Sequence, residues 1–361
     1  MTTDFPLSRT TNPTPVAERG TILADPGFGR WFTDHMATAK WTPAGGWHDH
    51  RIGPLEPFSM HPSTAVLHYA QEIFEGLKAY RHADGSVWLF RPDANARRFA
   101  RSAARLALPQ LPEEDFLTSV AELVRADEAW VPTPTVDESL YLRPFMFASE
   151  AFLGVRPAAQ VTYAVIASPA GPFFPSGVTG VTLWISSEYT RAAKGGTGTA
   201  KCGGNYAASL AAQIEAQQHG CDQVMYLDSA GEDNLEESGT MNVCLITADG
   251  RLVTPALGTI LEGVTRDTVL SLAADFGLTP EERSISLGEL RSGAADGSIT
   301  EVFAAGTAAV ITPMVGFKGE GYEFTVGDGT PGKHTMALRD HVLDIQYGRA
   351  EDKHGWMRRV V

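Results

Sequence analysis

From Thr64 onward apolar residues return at the spacing of an amphipathic helix: Val66, Tyr69, Ile73 and Leu77, passing through Phe74. The sixty residues before it hold no sustained period and are rich in Pro, Gly and Thr, which predicts irregular structure. Two apolar runs follow, 77–80 and 87–90, and the Ala83-Asp84-Gly85 between them is a hairpin signal. Asp93, after Arg91-Pro92, is placed to cap a helix carrying Arg97, Arg98, Arg101 and Arg105. Phe116, Val120, Leu123 and Val124 share one face of a helix predicted over 113–130. Strands are predicted at 139–148 and 160–168, and then the Pro/Gly cluster 169–177 interrupts the pattern.

Beyond that cluster the pattern predicts strands at 181–185, 223–227 and 241–247, and helices over 205–218 and 265–276. The last of these is stopped by Gly277 in a left-handed cap. An apolar stretch, 301–310, is broken by Gly306-Thr307, and a helix over 335–347 closes the chain. Helices and strands mix without strict alternation, so the class is α+β rather than a doubly wound sheet. The 361 residues suit two domains, 1–170 and 181–361, with 171–180 between them.

Composition narrows the function. There are 29 Lys+Arg against 43 Asp+Glu, a net charge of −14, which disfavours a nucleic-acid binder or an anionic-lipid surface as partner. An anionic substrate must then be met by locally placed Arg, Lys or backbone N–H groups. Cys202, Cys221 and Cys244 are widely spaced, poor material for zinc or disulfides, and fit a reducing, cytoplasmic compartment. The first fifteen residues have no secretory pattern, and no apolar run reaches the ~18 residues of a spanning helix.

Common catalytic signatures are missing: GxxxxGK[ST], HExxH and GxSxG. His48 and His50 read as solvated loop histidines rather than metal ligands, and no metal is expected. The unusual segment is 195–206, Gly-Gly-Thr-Gly-Thr-Ala-Lys-Cys-Gly-Gly-Asn-Tyr. Glycines permit close backbone approach, so such a run wraps something. A lysine held there, Lys201, has two readings: an exposed side chain on a flexible loop, or an amine kept neutral to attack a carbonyl.

Read together with 74–80 (Phe-Glu-Gly-Leu-Lys-Ala-Tyr), 237–242 (Glu-Ser-Gly-Thr-Met-Asn), 302–309 (Val-Phe-Ala-Ala-Gly-Thr-Ala-Ala) and 345–348 (Ile-Gln-Tyr-Gly), the segment resembles the branched-chain-amino-acid aminotransferases. These are class IV, fold-type IV enzymes that use pyridoxal 5'-phosphate. The resemblance runs in order from about residue 30 to the C-terminus. It implies two α/β domains with the cofactor in the cleft between them, the larger C-terminal one carrying the lysine, and a homodimer.

Residue by residue, the resemblance makes Lys201 the Schiff-base lysine and proton shuttle. Glu237 becomes the carboxylate at the pyridine nitrogen, Tyr206 the hydroxyl at the 3′ oxygen, and Arg98 the phosphate-binding arginine. Val264, Thr265 and Thr307 would bind the phosphate too, at a helix start suited to anions, and Arg191 would lie near the cofactor. Tyr141 and Arg143, on one face by strand alternation, would line the substrate pocket, the arginine taking the side-chain carboxylate of glutamate or 2-oxoglutarate. Phe74, Tyr69 and Phe173 would wall the site for leucine, isoleucine and valine, and Thr240 with Ala308 would meet the α-carboxylate. Positions 308–312 have no cysteine pair, so a thiol switch there is not expected, and Cys202 is an inert thiol or one open to electrophiles. The Tyr-Leu-Arg-Pro segment and the chain length favour this branch over D-amino-acid aminotransferases and aminodeoxychorismate lyases of the same fold.

Overall fold

In the computed structural model, which describes residues 4–133, 137–173 and 178–361, the Asp84-Gly85 turn joins strands Leu77–Arg81 and Val87–Phe90. They form an antiparallel hairpin pairing Ala79 with Leu89, and Gly85 has φ +86°. The helix expected through 66–77 is only Val66–Tyr69. Ala70 turns left-handed (φ +48°), its N–H closes on Val66 O, and Glu72–Phe74 leaves as a strand paired with 145–147. Strand pairing overrides the helical spacing there.

The first sixty residues are also more ordered than their composition implies. They hold a helix, Val16–Ala24, and strands His35–Thr42 and Gly46–Pro54, joined by a turn in which Gly46 takes φ +61°. His48 and His50 sit on the second strand, not on a loop, at 3.4 Å from Asp49 and Asp115. The arginine-rich helix is Pro92–Arg105. Proline takes the first position, where its missing N–H is harmless. Asp93 therefore falls inside the first turn, pairing with Arg97 at 2.7 Å, and caps nothing. The next helix ends at Ala126, and a 3₁₀ turn, Glu128–Trp130, follows.

The chain forms two units that are not consecutive. The first takes Met1–Pro175, Ala200–Gly203 and Asp344–Val361; the second takes Ser176–Thr199 and Gly204–Leu343. This differs from a single division at 171–180, because the tetrapeptide carrying Lys201 packs with the first unit. Ala200 and Cys202 are buried in that unit's core. Residues 174–177 of the expected linker lie outside the described residues.

The first unit is built on an antiparallel sheet. Its order is Met357–Arg359, Val87–Phe90, Leu77–Arg81, Ser139–Ala148, Val161–Ala170, His35–Thr42, Gly46–Pro54, with Glu72–Phe74 also on Ser139–Ala148. Phe99, Phe116, Val120, Leu123 and Val124 of the two helices are buried in its core. Each such side chain contributes about 1.5–3 kcal/mol.

In the second unit the order is Leu235–Ser238, Gln223–Leu227, Val181–Ile185, Val310–Gly319, Ile299–Gly306, Met241–Thr247, Arg251–Thr254, Thr279–Glu282. Leu235–Ser238 also pairs with Met241–Thr247, so the path closes on itself. The strand after Gly306-Thr307 is the return arm Val310–Gly319, and helix Val264–Leu272 runs into a 3₁₀ turn that ends at Gly277, φ +72°. Among the described residues no helix is long and apolar enough to cross a membrane.

Candidate active site

Lys201 owes its placement to its neighbours. Ala200 and Cys202, on either side of it, are buried in the first unit's core and anchor the segment there. Three hydrogen bonds fix the backbone: Lys201 N donates to Ser102 Oγ (3.0 Å), Phe74 N donates to Lys201 O (2.9 Å), and Gly203 N donates to the Glu72 carboxylate. A Cβ at position 203 would overlap Glu72 Oε1 and displace that acceptor, so glycine keeps the bond. Buried Cys202 is a packing residue.

The amine lies 4.8 Å from the centroid of the Phe74 ring, and the guanidinium of Arg143 lies 4.8 Å from the same ring. Arg143 donates to Tyr141 Oη (3.2 Å), and its Nε is buried without a hydrogen-bond partner among the described residues. Tyr141 in turn presses on Gly76, where a Cβ would overlap its hydroxyl. Arg98, expected at the phosphate, forks onto Glu75: Nε to Oε1 at 2.7 Å and Nη2 to Oε2 at 2.9 Å. Arg98 holds the Glu75 carboxyl below its ordinary range, although burial pulls the other way.

Desolvation first, then the charge of Arg98, push the Lys201 amine down from the ordinary lysine value of 10.5 to about 8, against the opposing pull of Glu75. Two consequences follow from the sign. Acylation of Lys201 in the cofactor-free chain should reach half its maximal rate near pH 8, read by peptide mass spectrometry; a midpoint near the ordinary 10.5 would refute the depressed amine. Between about 8 and 10.5 the unfolded chain binds more protons than the folded one, so this lysine makes the fold more stable as pH rises through that window.

The second unit gathers a different set. Glu237 is buried; its Oε1 accepts from Asn242 Nδ2 (3.0 Å) and Leu261 N (2.8 Å), and its Oε2 meets Arg191 Nε at 2.5 Å. Arg191 also donates to the carbonyls of Gly198 and Thr259, so it ties the glycine-rich segment to the 255–263 loop. Helix Val264–Leu272 begins after Gly263, whose extended backbone offers no side-chain cap. A Cβ at Gly263 would overlap Asn242 Oδ1, so only glycine lets the helix start beside the residue that holds Glu237. A helix N-terminus suits an anion, and a fixed carboxylate suits a protonated ring nitrogen. Within the second unit this donor set suits a basic ring and a phosphate, and within the first unit the Lys201 amine suits an aldehyde.

The profile described as amino-transferase class IV matches residues 72–316. The chain belongs to the class IV aminotransferase family. It is 53% identical over 361 residues to the branched-chain-amino-acid aminotransferase of Mycolicibacterium smegmatis, covering 99% of this chain and 98% of that one. The Mycobacterium tuberculosis protein of the same name is 52% identical over 360 residues, with the same coverage. Among solved structures, the branched-chain amino acid aminotransferase from Thermobaculum terrenum in its PLP-form matches with TM-score 0.74 and 25% identity, over 91% of this chain and 98% of that one. The Escherichia coli branched-chain amino acid aminotransferase matches with TM-score 0.70 and 28% identity, over 90% and 99%. The mixed helix-and-sheet architecture in two units is that of this family.

In this aminotransferase, Lys201, Phe74, Tyr141, Arg143 and Arg98 come together in the first unit. Tyr69 and Phe173 belong to the same unit but are 41% and 49% exposed. Glu237, Arg191, Val264 and Thr265 are buried or nearly so in the second unit. There Tyr206 lies on the first turn of helix Gly203–Gln218, Thr240 is exposed in the turn after Ser238, and Thr307 and Ala308 form the turn between two strands. Sequence reasoning missed Glu72, Glu75, Ser102 and Asn242 as site residues. Glu75 and Asn242 were visible inside the quoted motifs; Ser102 was not, being 99 residues from the backbone N–H it accepts.

Proposed function

We propose that this chain catalyses pyridoxal 5'-phosphate-dependent transamination of leucine, isoleucine and valine with 2-oxoglutarate, in two alternating half-reactions, as a cytoplasmic homodimer. The observation that carries the reading is the Phe74 ring with the Lys201 amine and the Arg143 guanidinium both 4.8 Å from its centroid. It sets an apolar wall beside one reactive amine and one carboxylate-binding cation, which a pocket alternating between an aliphatic side chain and a dicarboxylate needs. The names of relatives at 52% and 53% identity support the same substrates.

The cofactor supplies an electron sink for the pair left when a proton departs the substrate's Cα. Lys201 Nζ would hold the cofactor covalently at rest and then move that proton; a value near 8 leaves far more of the amine neutral near pH 7 than the ordinary 10.5 would. Glu237, fixed by Asn242 and Leu261 N–H, would hold the ring nitrogen. The Val264–Leu272 N-terminus and Thr307 would bind the phosphate, with Arg98 and Tyr206 as further contacts. Arg98 also acts on Lys201 through its charge. Tyr141 orients Arg143 toward the substrate's side-chain carboxylate, Phe74, Tyr69 and Phe173 wall the pocket, and Thr240 and Ala308 would take the α-carboxylate.

Steady-state rates with L-leucine, D-alanine and aminodeoxychorismate test the reading. Turnover of L-leucine with 2-oxoglutarate is expected to dominate; preference for either of the other two would reassign the chain within its fold.

A further inference from the structure

Glu72 is a carboxylate that neither the proposed chemistry nor the motifs use. It stands on the same short strand as Phe74 and on the same side of it, since residues two apart share a face. Phe74 is the ring over which Arg143 sits, so the carboxylate and the guanidinium share one face of the sheet, and Arg143 pulls on the charge of Glu72. One Glu72 oxygen accepts the Gly203 N–H, two residues beyond Lys201. Arg143 for its part has the buried Nε described above. The guanidinium thus has one fixed anion close by and hydrogen-bonding capacity left over.

We propose that Glu72 sets substrate specificity: its charge competes with a substrate's side-chain carboxylate for Arg143, weakening dicarboxylates relative to aliphatic substrates. This rests on the reading of Arg143 as the dicarboxylate's partner. A second carboxylate arriving at Arg143 meets repulsion from Glu72, whereas an isobutyl or sec-butyl group carries no charge to repel. Desolvation already raises the Glu72 carboxyl above its ordinary value, with Arg143 opposing, so its charge is costly to keep and sensitive to a second anion. The carboxylate also has a positional task, through Gly203, that glutamine can reproduce.

The test uses the enzyme reconstituted with pyridoxal 5'-phosphate and two unreactive probes, glutarate and 4-methylvalerate, titrated by calorimetry. Glu72→Gln keeps an acceptor for Gly203 N–H and removes the charge. It should raise the glutarate-to-4-methylvalerate affinity ratio roughly three- to tenfold, with Glu72→Ala shifting the ratio the same way. Arg143→Ala should lower that ratio. A ratio unchanged in Glu72→Gln while Arg143→Ala lowers it overturns the role of Glu72 and leaves that of Arg143 standing. If Glu72→Ala shifts the ratio and Glu72→Gln does not, the residue acts by position alone and the charge competition is refuted. A ratio that Arg143→Ala leaves untouched removes the reading on which the proposal stands.

Discussion

Replacing Lys201 by alanine is expected to remove nearly all transamination while leaving the fold intact. The backbone of 200–203 is held by buried Ala200 and Cys202 and by hydrogen bonds with Ser102, Phe74 and Glu72, none of which involves the lysine side chain. The loss therefore falls on chemistry. A positioned proton-transfer group alone contributes roughly 10²–10⁴-fold, and the same amine also tethers the cofactor in the proposed mechanism. Turnover of leucine should fall by at least that factor. Borohydride treatment followed by mass spectrometry should find no cofactor on the peptide, and thermal unfolding should stay within a few degrees of the parent. Turnover near the parent's level, or cofactor trapped on another side chain, would sink the assignment.

That Lys201 could be found in the sequence at all has a physical cause. Glycines on both sides are required by close approach, at Gly198 against Thr259 O and at Gly203 against Glu72, and such requirements write themselves into a short segment. The same holds for Gly263 against Asn242, and in the Asp-Gly hairpin a positive φ at Gly85 makes the demand instead. Strands with one apolar face, such as 139–148, were legible from alternation along their length. What could not be read was long-range. Strand 35–42 depends on pairing with 161–165, far along the chain, and strand 46–54 builds on 35–42, which outweighs a composition rich in turn formers. The break at Ala70 needs the partner strand 145–147 to draw 72–74 out of a helix. The attachment of 200–203 to the first unit depends on a core assembled from other parts of the chain. Helical spacing showed the arginine helix but did not separate its arginines, and only the resemblance singled out Arg98: Arg98 is buried because Glu75 answers it, while Arg97 pairs with Asp93 at the surface.

That Arg98–Glu75 pair carries the second large expectation. Glu75 has no exposed surface, and its carboxylate accepts from Arg98 Nε and Nη2, from Asn95 Nδ2 at 2.8 Å and from Gly76 N. Removing it as Glu75→Ala leaves a guanidinium buried opposite a void. Breaking a buried pair from one side costs about 3–5 kcal/mol, far above the ~0–1 kcal/mol of an exposed pair such as Arg97–Asp93. Denaturant unfolding should show that difference between Glu75→Ala and Asp93→Ala. Replacing both partners, Glu75→Leu with Arg98→Met, should recover much of it, because no lone charge is then left inside. The milder Glu75→Gln keeps the shape and reports on the electrostatics: the negative charge of Glu75 that supports the Lys201 ammonium is gone, while Arg98 and Arg143 remain. The amine must then lose its proton more readily, and the midpoint of Lys201 acylation should move below about 8. A midpoint that moved upward, or a Glu75→Ala chain destabilised no more than Asp93→Ala, would show that Arg98 and Glu75 do not govern the lysine in the way the geometry requires.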